Sequence, residues 1–185
     1  RKVAILGLGS IAEHMAGCLK ALGMSVCGIS RTNRKVDGIE KVYPREKILE
    51  AVSDIDFLVI LVPLSVDTEK IIDAQVFDAM KDTACIINVA RGGVVDEAAL
   101  IDALREEKIA GAGLDVFENR PLEPNSPLWD MHNVFITPHV GGRSDLYTKN
   151  ILEIIEPNLR YYCLQAYDKM TNIVDLSGIV SKDRN

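Results

Sequence analysis

The chain has 185 residues, of which 48% are hydrophobic and 26% charged, a length and composition typical of one globular domain with a sizeable core. Its 21 Lys and Arg against 27 Asp and Glu give a formal net charge of −6, which argues against a nucleic-acid backbone as a partner. The longest apolar run, residues 57–64, is far shorter than the roughly 18 residues needed to cross a bilayer. We therefore expect no nucleic-acid partner and no membrane span.

The cysteines and histidines bear on metal binding, and the cysteines and the N-terminus bear on the cellular compartment. The four cysteines lie far apart and form no CxxC pair, which argues against a zinc knuckle or a redox dithiol. No two of the three histidines have i, i+4 spacing, so we expect no metal site. The first residues lack the apolar block and small-residue cleavage pattern of a secretory signal. These features predict reduced thiols and a cytoplasmic location.

Short apolar runs alternate with helical patterns along the chain. Six runs, almost continuously apolar as in strands buried on both faces of a parallel sheet, predict strands at 3–6, 25–29, 57–62, 84–89, 111–116 and 134–136. Helical periodicity predicts helices at 11–22, 46–52, 69–80, 97–107 and 145–165, with Asp96 as an N-cap and a bend at Pro157. The alternation predicts an α/β fold, a doubly wound parallel sheet in a three-layer α/β/α arrangement.

Two segments interrupt this alternation. Three prolines in the stretch 118–133 predict a long loop between the fifth and sixth strands, and long loops in compact domains are often functional. Trp129 in this loop either packs within the loop or reaches a second subunit. The segment after Met170 has weak periodicity and needs another element to pack on. We predict a dinucleotide-binding domain at 1–166 and a C-terminal tail at 167–185.

A glycine-rich turn directly follows the first predicted strand and opens the first helix. It contains Gly7, Gly9, Ser10 and Ile11 and ends at the small residue Ala12, in the strand–turn–helix context of a dinucleotide site. The first glycine permits the tight turn, the second lets the backbone approach a diphosphate, and the unpaired amides of the helix start meet the phosphates. The alternative is that the glycines only turn the chain. With the βαβ units around it, the turn favours a Rossmann-type fold.

The residues after the second strand bear on the choice of cofactor. An acidic residue there would bind the adenosine ribose 2′-hydroxyl and repel a 2′-phosphate, but the chain has Ser30, followed by Arg31, Thr32, Asn33 and Arg34. Two guanidinium groups and small polar donors can surround a phosphate. The alternative is a solvated basic loop. We therefore predict that NADP(H) is preferred, with NAD(H) as a second possibility.

Several further motifs follow the glycine turn in a fixed order. They are the stretch 62–65 with Thr68, the block 88–96 (NVARGGVVD), the block 111–117 (GAGLDVF) and the stretch 137–139 (TPH). Together with the turn they resemble the D-isomer-specific 2-hydroxyacid dehydrogenase family over nearly all of the chain, and more closely its glyoxylate/hydroxypyruvate reductase members. The resemblance implies hydride transfer between a nicotinamide and a small 2-oxo or D-2-hydroxy acid.

Reduction of a 2-oxo acid needs a hydride donor, a cation that orients the carboxylate, and an acid that protonates the new alkoxide. The resemblance gives the cation's role to Arg91, whose planar guanidinium suits a carboxylate; a solvated surface arginine is the alternative. It gives the acid's role to His139, since an imidazole exchanges protons near neutral pH; a structural histidine is the alternative. It also implies that the cofactor is contacted by Val62, Pro63, Thr68, Val89, Ala90, Arg91, Asp115, His139 and Gly141.

One position departs from the family pattern. Family members usually carry a glutamate before the proline that follows the LDVF block, and this acid pairs with the catalytic histidine. Here that position is Arg120, before Pro121, and a cation beside His139 would disfavour its protonated form. Either Glu118 or Glu123 takes the acid's place through a shifted loop, or proton transfer is impaired. We keep Glu118 as the candidate partner of His139.

The resemblance also implies a second domain and a second subunit. In the family, a substrate domain precedes the cofactor domain and resumes after the long C-terminal helix, whereas this chain starts at the first strand with Arg1. We expect a fragment or a split gene, and a homodimer formed through this domain. One alternative is a non-catalytic dinucleotide-sensing or interaction module, which Arg120 favours. Another is a nicotinamide-dependent enzyme of a different family on the same scaffold.

Overall fold

Seven parallel strands form a single sheet in the computed structural model, which describes residues 1–32 and 34–174. In chain order they are β1 (Lys2–Leu6), β2 (Ser25–Ser30), β3 (Lys41–Pro44), β4 (Phe57–Ile60), β5 (Cys85–Asn88), β6 (Gly111–Leu114) and β7 (Val134–Ile136). The strand order across the sheet is β3-β2-β1-β4-β5-β6-β7. The order reverses between β1 and β4, and sheets of this kind bind ligands in the crevice at the carboxyl ends of the strands there.

Helices connect the strands and cover both faces of the sheet. They are α1 (Ser10–Ala21), α2 (Ile48–Val52), α3 (Ala74–Ala79) and α4 (Glu97–Arg105), with short 3₁₀ turns at Arg45–Lys47, Gly92–Val94 and Pro127–Trp129. After the last strand, the chain forms α5 (Tyr147–Cys163) and a 3₁₀ turn at Tyr167–Lys169. Side chains of β1 alternate between two cores: Ala4 and Leu6 pack on the side of α2, α3 and α4, whereas Val3 and Ile5 pack on the side of α1. The predicted doubly wound α/β fold is confirmed.

Two parts of the element prediction were wrong. The strand β3 was missed because it has only four residues and lies at the sheet edge, where Lys41 and Pro44 are exposed. The helix predicted at 69–80 begins only at Ala74, because the Asp73 carboxylate accepts the backbone N–H groups of Gln75 (3.0 Å) and Val76 (3.1 Å) and so caps it there. The amides of residues 70 and 72 instead bond to the backbone that follows β5.

The N-cap predicted for α4 is confirmed. The Asp96 carboxylate accepts the backbone N–H of Ala99 at 3.3 Å, which satisfies one of the donors left free in the first turn.

The chain divides into two compact units, one spanning Arg1–His139 and the other beginning at Val140. In the second unit α5 contains Pro157, and the next residue, Asn158, holds the backbone of Thr171 through two hydrogen bonds of 2.8 and 2.9 Å. Most of the tail predicted at 167–185 lies outside the described residues, which end at 174.

The sequence predicts no membrane span, no metal site and reduced thiols. Over residues 1–32 and 34–174, no helix has the length and apolar character to cross a bilayer, and no group of three or more His, Cys, Asp or Glu is placed to hold a metal ion. All four cysteines are free thiols. Burial raises the pKa of Cys27 to about 11, so this thiol stays protonated and unreactive at neutral pH.

Asp56, at the amino end of β4, links three segments of the fold. Its carboxylate accepts the backbone N–H of Lys2 (2.7 Å) and the ammonium of Lys81 (2.9 Å), and these bonds lower the pKa of Asp56 from 3.8 to about 2. Since the folded pKa lies below the unfolded one, the carboxylate stabilises the fold above about pH 4, and this contribution is lost as the pH falls through about 2.

We therefore expect Asp56→Asn to lower the melting temperature at pH 7, and this difference from the unmutated protein to shrink between pH 4 and pH 2. Thermal unfolding followed by circular dichroism at several pH values measures it. Asp102→Asn, at an exposed carboxylate on α4 3.9 Å from Arg105, is the matched control and should change little. A deficit in Asp56→Asn that is the same at every pH would contradict this account.

Candidate active site

The glycine turn passes between the ends of β2 and β4. The backbone N–H of Gly7 donates to the carbonyl of Ile29 at 2.9 Å. Gly7 has φ +99°, and a Cβ there would lie 2.7 Å from Cγ1 and 2.9 Å from the backbone nitrogen of Val62. A side chain at this position would therefore be strained by both its backbone conformation and its neighbours. The close approach explains why the turn needs its first glycine.

The second glycine opens α1 and faces free space. Gly9 is the N-cap of α1, and no side chain of the described residues caps this helix end. A Cβ at Gly9 would have no heavy atom within 4 Å, while Ser10 and Ile11 are exposed. Backbone N–H groups of a first helical turn have no partner within the helix and favour anions. The start of α1 thus has room for an anion, and a Cβ at Gly9 would enter that space.

The polar residues after β2 lie at the same edge of the sheet. The Ser30 hydroxyl accepts the backbone N–H of Thr32 at 3.2 Å and lies 3.3 Å from the Thr32 hydroxyl. The Arg31 guanidinium lies 3.2 Å from the carboxylate of Asp67, and both side chains are exposed. The exposed Arg31–Asp67 pair is weak enough to exchange partners with a bound anion.

Arg34 lies beside the glycine turn with an acidic partner. Its guanidinium donates to the carbonyl of Leu8 at 3.2 Å and forms an ion pair with Glu13 in α1. The structure therefore brings Arg34 to the glycine turn, but its charge is already matched by a carboxylate.

Thr68 supports the loop that follows β4. Its hydroxyl donates to the carbonyl of Pro63 at 2.7 Å and accepts the backbone N–H of Ser65 at 2.8 Å. Thr68 is only 1% exposed and Val62 only 3%. The side chains of these two predicted contact residues are therefore directed into the protein, where they shape the loop. Their placement leaves the backbone around Pro63 as the surface that a bound molecule would meet.

Asn88 holds the loop that carries Arg91. Its side-chain amide donates to the carbonyl of Arg91 at 3.0 Å and accepts the backbone N–H of Ala90 at 3.1 Å. Asn88 is 1% exposed, so its amide bonds to the backbone of this loop and not to solvent. Sequence reasoning did not assign it a role, although an amide at the end of a buried strand was a usable signal. The side chain of Val89, the residue between Asn88 and Ala90, is exposed.

The Arg91 loop and the loop after β6 touch through a glycine. A Cβ at Gly92 would lie 1.9 Å from the carbonyl carbon of Phe117, a contact that only glycine permits. The backbone N–H of Asp115 also donates to the carbonyl of Asn88 at 3.0 Å. The structure thus brings the Arg91 loop and the Asp115 loop together, as the family motifs imply.

His139 lies beyond β7, two residues after Thr137, whose hydroxyl bonds a buried carboxylate. Asp115 is 4% exposed and accepts a short hydrogen bond from the Thr137 hydroxyl. The backbone N–H of Thr137 donates to the carbonyl of Leu114 at 2.9 Å, so β6 fixes the start of the Thr137-Pro138-His139 stretch. His139 itself has φ +55°, an uncommon conformation for a residue other than glycine that is often found at functional sites.

His139 and Arg120 line the same cavity. The cavity has a volume of about 480 Å³ and a mostly apolar wall. Among its lining residues are Phe117, Arg120, Leu122, Trp129, Ile136 and His139. The indole N–H of Trp129 donates to the carbonyl of Glu123 at 2.9 Å, so the side chain packs within its own loop. The carboxylate that lines this cavity belongs to Asp115, which Thr137 already engages.

Neither glutamate proposed as a partner of His139 lines this cavity. The Glu118 carboxylate lies 3.7 Å from the ammonium of Lys70, and Glu118 and Asp96 raise the pKa of Lys70. The Glu123 carboxylate accepts the side-chain amide of Asn119 at 3.1 Å. The structure therefore does not bring Glu118 to His139, because Lys70 binds its carboxylate elsewhere.

The remaining predicted residue, Gly141, lies in the second unit. The other residues predicted to form the site all belong to the first unit and lie at or after the carboxyl ends of its strands.

The fold and the glycine turn define a Rossmann-type, dinucleotide-binding domain. Residues 1–141 match the family model described as D-isomer specific 2-hydroxyacid dehydrogenase, NAD binding domain. The chain belongs to the D-isomer specific 2-hydroxyacid dehydrogenase family, and the family predicted from its motifs is confirmed.

Curated relatives are consistent with this membership. The chain is 39% identical over 160 residues to a glyoxylate reductase of Thermococcus gammatolerans, a match that covers 86% of the chain and 47% of the relative. It is 36% identical over 177 residues to a probable 2-ketogluconate reductase of Dictyostelium discoideum, covering 90% of the chain and 52% of the relative. The chain thus spans about half the length of these relatives.

Solved structures share the fold over nearly the whole chain. A D-isomer specific 2-hydroxyacid dehydrogenase from Xanthobacter autotrophicus Py2, in complex with NADPH and MES, superposes with a TM-score of 0.85 at 38% identity, covering 94% of this chain and 70% of that one. An NADPH-dependent glyoxylate/hydroxypyruvate reductase from Sinorhizobium meliloti, in complex with NADP and sulfate, gives a TM-score of 0.81 at 33% identity, covering 98% and 55%.

Proposed function

We propose that the chain is the cofactor domain of an NADP(H)-dependent oxidoreductase that transfers a hydride between the nicotinamide and a small 2-oxo or D-2-hydroxy acid, such as glyoxylate or hydroxypyruvate. The observation that carries the proposal is the cradle at Gly9, where uncapped amides of α1 face free space next to Ser30 and Arg31. Its relatives named glyoxylate reductase and its structural neighbours with NADPH or NADP support the substrate and cofactor classes.

The cradle fits a dinucleotide, and its parts have separate roles. The amides at Ser10 and Ile11 hold the diphosphate, because an anion stabilises the N-terminus of a helix. Ser30, Arg31 and Thr32 receive the 2′-phosphate, since β2 ends in Ser30 and not in an acidic residue that would repel it. The backbone at Pro63, Val89 and Ala90, with Asp115, borders the nicotinamide.

The reaction needs a cation and a proton donor from the chain. The cofactor supplies the hydride when it is bound. Arg91 binds the carboxylate and the carbonyl of the 2-oxo acid, and Asn88 holds its loop in place through the carbonyl of Arg91. His139 holds the proton that the new alkoxide takes up. Asp115 and Thr137 fix the segment that presents His139.

The proposal is tested by following the oxidation of NADPH at 340 nm in the whole natural protein that contains this chain, with glyoxylate or hydroxypyruvate as substrate. We expect turnover with NADPH, and a preference of roughly tenfold to a hundredfold for NADPH over NADH, because a charge-assisted hydrogen bond contributes about 1.5–3 kcal/mol. Equal use of both cofactors, or a preference for NADH, would contradict the cofactor assignment. Absence of turnover despite NADPH binding would contradict the enzymatic role.

A specific observation favours a second candidate, a non-catalytic dinucleotide-sensing module. Arg120 shares the cavity of His139, and Glu118 is bound to Lys70 instead. Arg120 occupies the position from which, by the family pattern, a carboxylate would orient the imidazole of His139. A protein of this kind would bind NADPH and release it unchanged.

Exchange of Arg120 for glutamate separates the two candidates further. We expect Arg120→Glu to raise kcat with glyoxylate at pH 7.5 by on the order of tenfold, since a carboxylate in this cavity can accept an imidazole N–H of His139 and orient the ring for proton transfer. Arg120→Gln, which removes the charge alone, should give an intermediate rate. A lower rate in Arg120→Glu would show that Arg120 itself assists the reaction.

We also propose a homodimer in a reducing, cytoplasmic compartment. The four free thiols support the compartment. Family membership supports the dimer, which sedimentation of the whole protein tests directly.

A further inference from the structure

A second arginine, Arg45, follows the end of the strand next to β2, and the sequence analysis did not identify it. Ser30, the last residue of β2, pairs with Pro44, the last residue of β3. Arg31 and Arg45 are therefore the first residues beyond two neighbouring parallel strands, whose backbones lie about 4.8 Å apart. The register of the edge strand thus brings two guanidinium groups to the end of β2.

The Arg45 side chain has a donor without a partner. Its Nε is buried and makes no hydrogen bond with any described residue, whereas most buried donors in proteins are paired. The residue as a whole is half-buried, so its stem is held by the protein. Burial and the charge of Arg31 lower the pKa of Arg45, and Asp67 and Glu46 offset only part of this. Arg31 forms an ion pair with Asp67, whereas none of the described carboxylates forms an ion pair with Arg45, although Asp67 and Glu46 act on it from a greater distance.

Arg34 is in the opposite situation. Its guanidinium is engaged by the carbonyl of Leu8 and by the carboxylate of Glu13. A phosphate that approached Arg34 would meet the negative charge of Glu13, and Arg34 would lose an existing ion pair. Arg34 thus adds little net attraction for an anion, although its spacing from Arg31 in the sequence suggested otherwise.

We propose that Arg45 and Arg31, rather than Arg34 and Arg31, form the guanidinium pair that binds the 2′-phosphate of NADP(H). This inference rests on the proposed function. A phosphate monoester carries nearly two negative charges at neutral pH and accepts paired N–H bonds from guanidinium groups. Arg45 supplies at that place a guanidinium that forms no ion pair with a described carboxylate, and the register of β3 brings it beside Arg31. Arg45 is thus a specificity-determining residue that acts on the phosphate and leaves the rest of the dinucleotide untouched.

The test compares Arg45→Ala with Arg34→Ala in the whole natural protein, using isothermal titration calorimetry with NADPH and with NADH. We expect Arg45→Ala to raise the Kd of NADPH by about tenfold and that of NADH by less than about twofold. Arg34→Ala should raise the Kd of NADPH by less than about threefold. 2′-AMP and 5′-AMP serve as smaller probes, and only 2′-AMP binding should weaken in Arg45→Ala.

Each result has a distinct meaning. A larger loss of NADPH affinity in Arg34→Ala than in Arg45→Ala would overturn the inference, and so would an equal loss for NADPH and NADH in Arg45→Ala. If Arg45→Ala lowers the melting temperature, Arg45→Gln, which keeps a polar side chain, must show the same selective loss. If the unmutated protein binds neither cofactor, the proposed function fails; if it binds NADPH and Arg45→Ala binds it equally well, only this inference fails.

Discussion

Gly9→Ala is expected to weaken NADPH binding by roughly fivefold to 150-fold while leaving the protein folded. A Cβ at Gly9 meets no atom of the chain within 4 Å, so the variant has no steric cost in the free protein, and the change of N-cap costs less than about 1 kcal/mol. The same Cβ enters the space where the diphosphate meets the helix amides, and an overpacked contact costs about 1–3 kcal/mol. Calorimetric titration gives the affinity, and a thermal melt gives the stability.

Gly7→Ala is the matched control for this prediction. Its Cβ would lie 2.7 Å from the Val62 side chain, at a backbone φ of +99°, so this variant should lose thermal stability even without cofactor. Two neighbouring glycines thus separate a binding effect from a folding effect. NADPH binding in Gly9→Ala equal to that of the unmutated protein would show that the diphosphate does not lie on this turn.

Arg91→Ala is expected to lower kcat/KM for glyoxylate by a factor of about 10² to 10³, the usual cost of removing a group that stabilises charge in the transition state. The Arg91 loop is fixed by Asn88 and by the close contact of Gly92 with Phe117, so the side chain is presented by a rigid backbone. Initial rates of NADPH oxidation over a range of glyoxylate concentrations measure the effect.

Two variants control for general effects of losing an arginine. Arg91→Lys keeps the charge without the planar fork and should recover only part of the rate. Arg105→Ala removes an exposed arginine of α4 that lies 3.9 Å from Asp102, and it should leave the rate unchanged. A loss in Arg91→Ala of less than about threefold would remove Arg91 from the proposed substrate site.

The sequence predicted the sheet and the glycine turn well because both depend on local patterns. Strands buried on both faces are continuously apolar, and the turn needs glycine where Gly7 approaches Val62. The edge strand β3 was missed because it is short and half-exposed, so it has no such pattern. The start of α3 was misplaced because the amides before Asp73 bond to a distant loop, which no local rule contains.

The partners of charged side chains were the least predictable part of the site. The spacing of Arg31 and Arg34 suggested a joint phosphate site, but Arg34 binds Glu13 across the turn. Glu118 was a candidate partner of His139 because it lies two residues before Arg120, where the family carries a glutamate, but Lys70 binds its carboxylate. Arg45 could be placed beside Arg31 only once the register of β3 was known. Each of these pairings joins residues from different elements, so the fold has to be known first.

The central claim is that a nicotinamide dinucleotide binds with its diphosphate on the amides that open α1. Isothermal titration calorimetry of the folded whole protein with NADPH and NADH tests it most directly. We expect saturable heat with NADPH, a weaker signal with NADH, and a loss of the NADPH signal in Gly9→Ala. The absence of heat with either cofactor at millimolar excess would contradict the account.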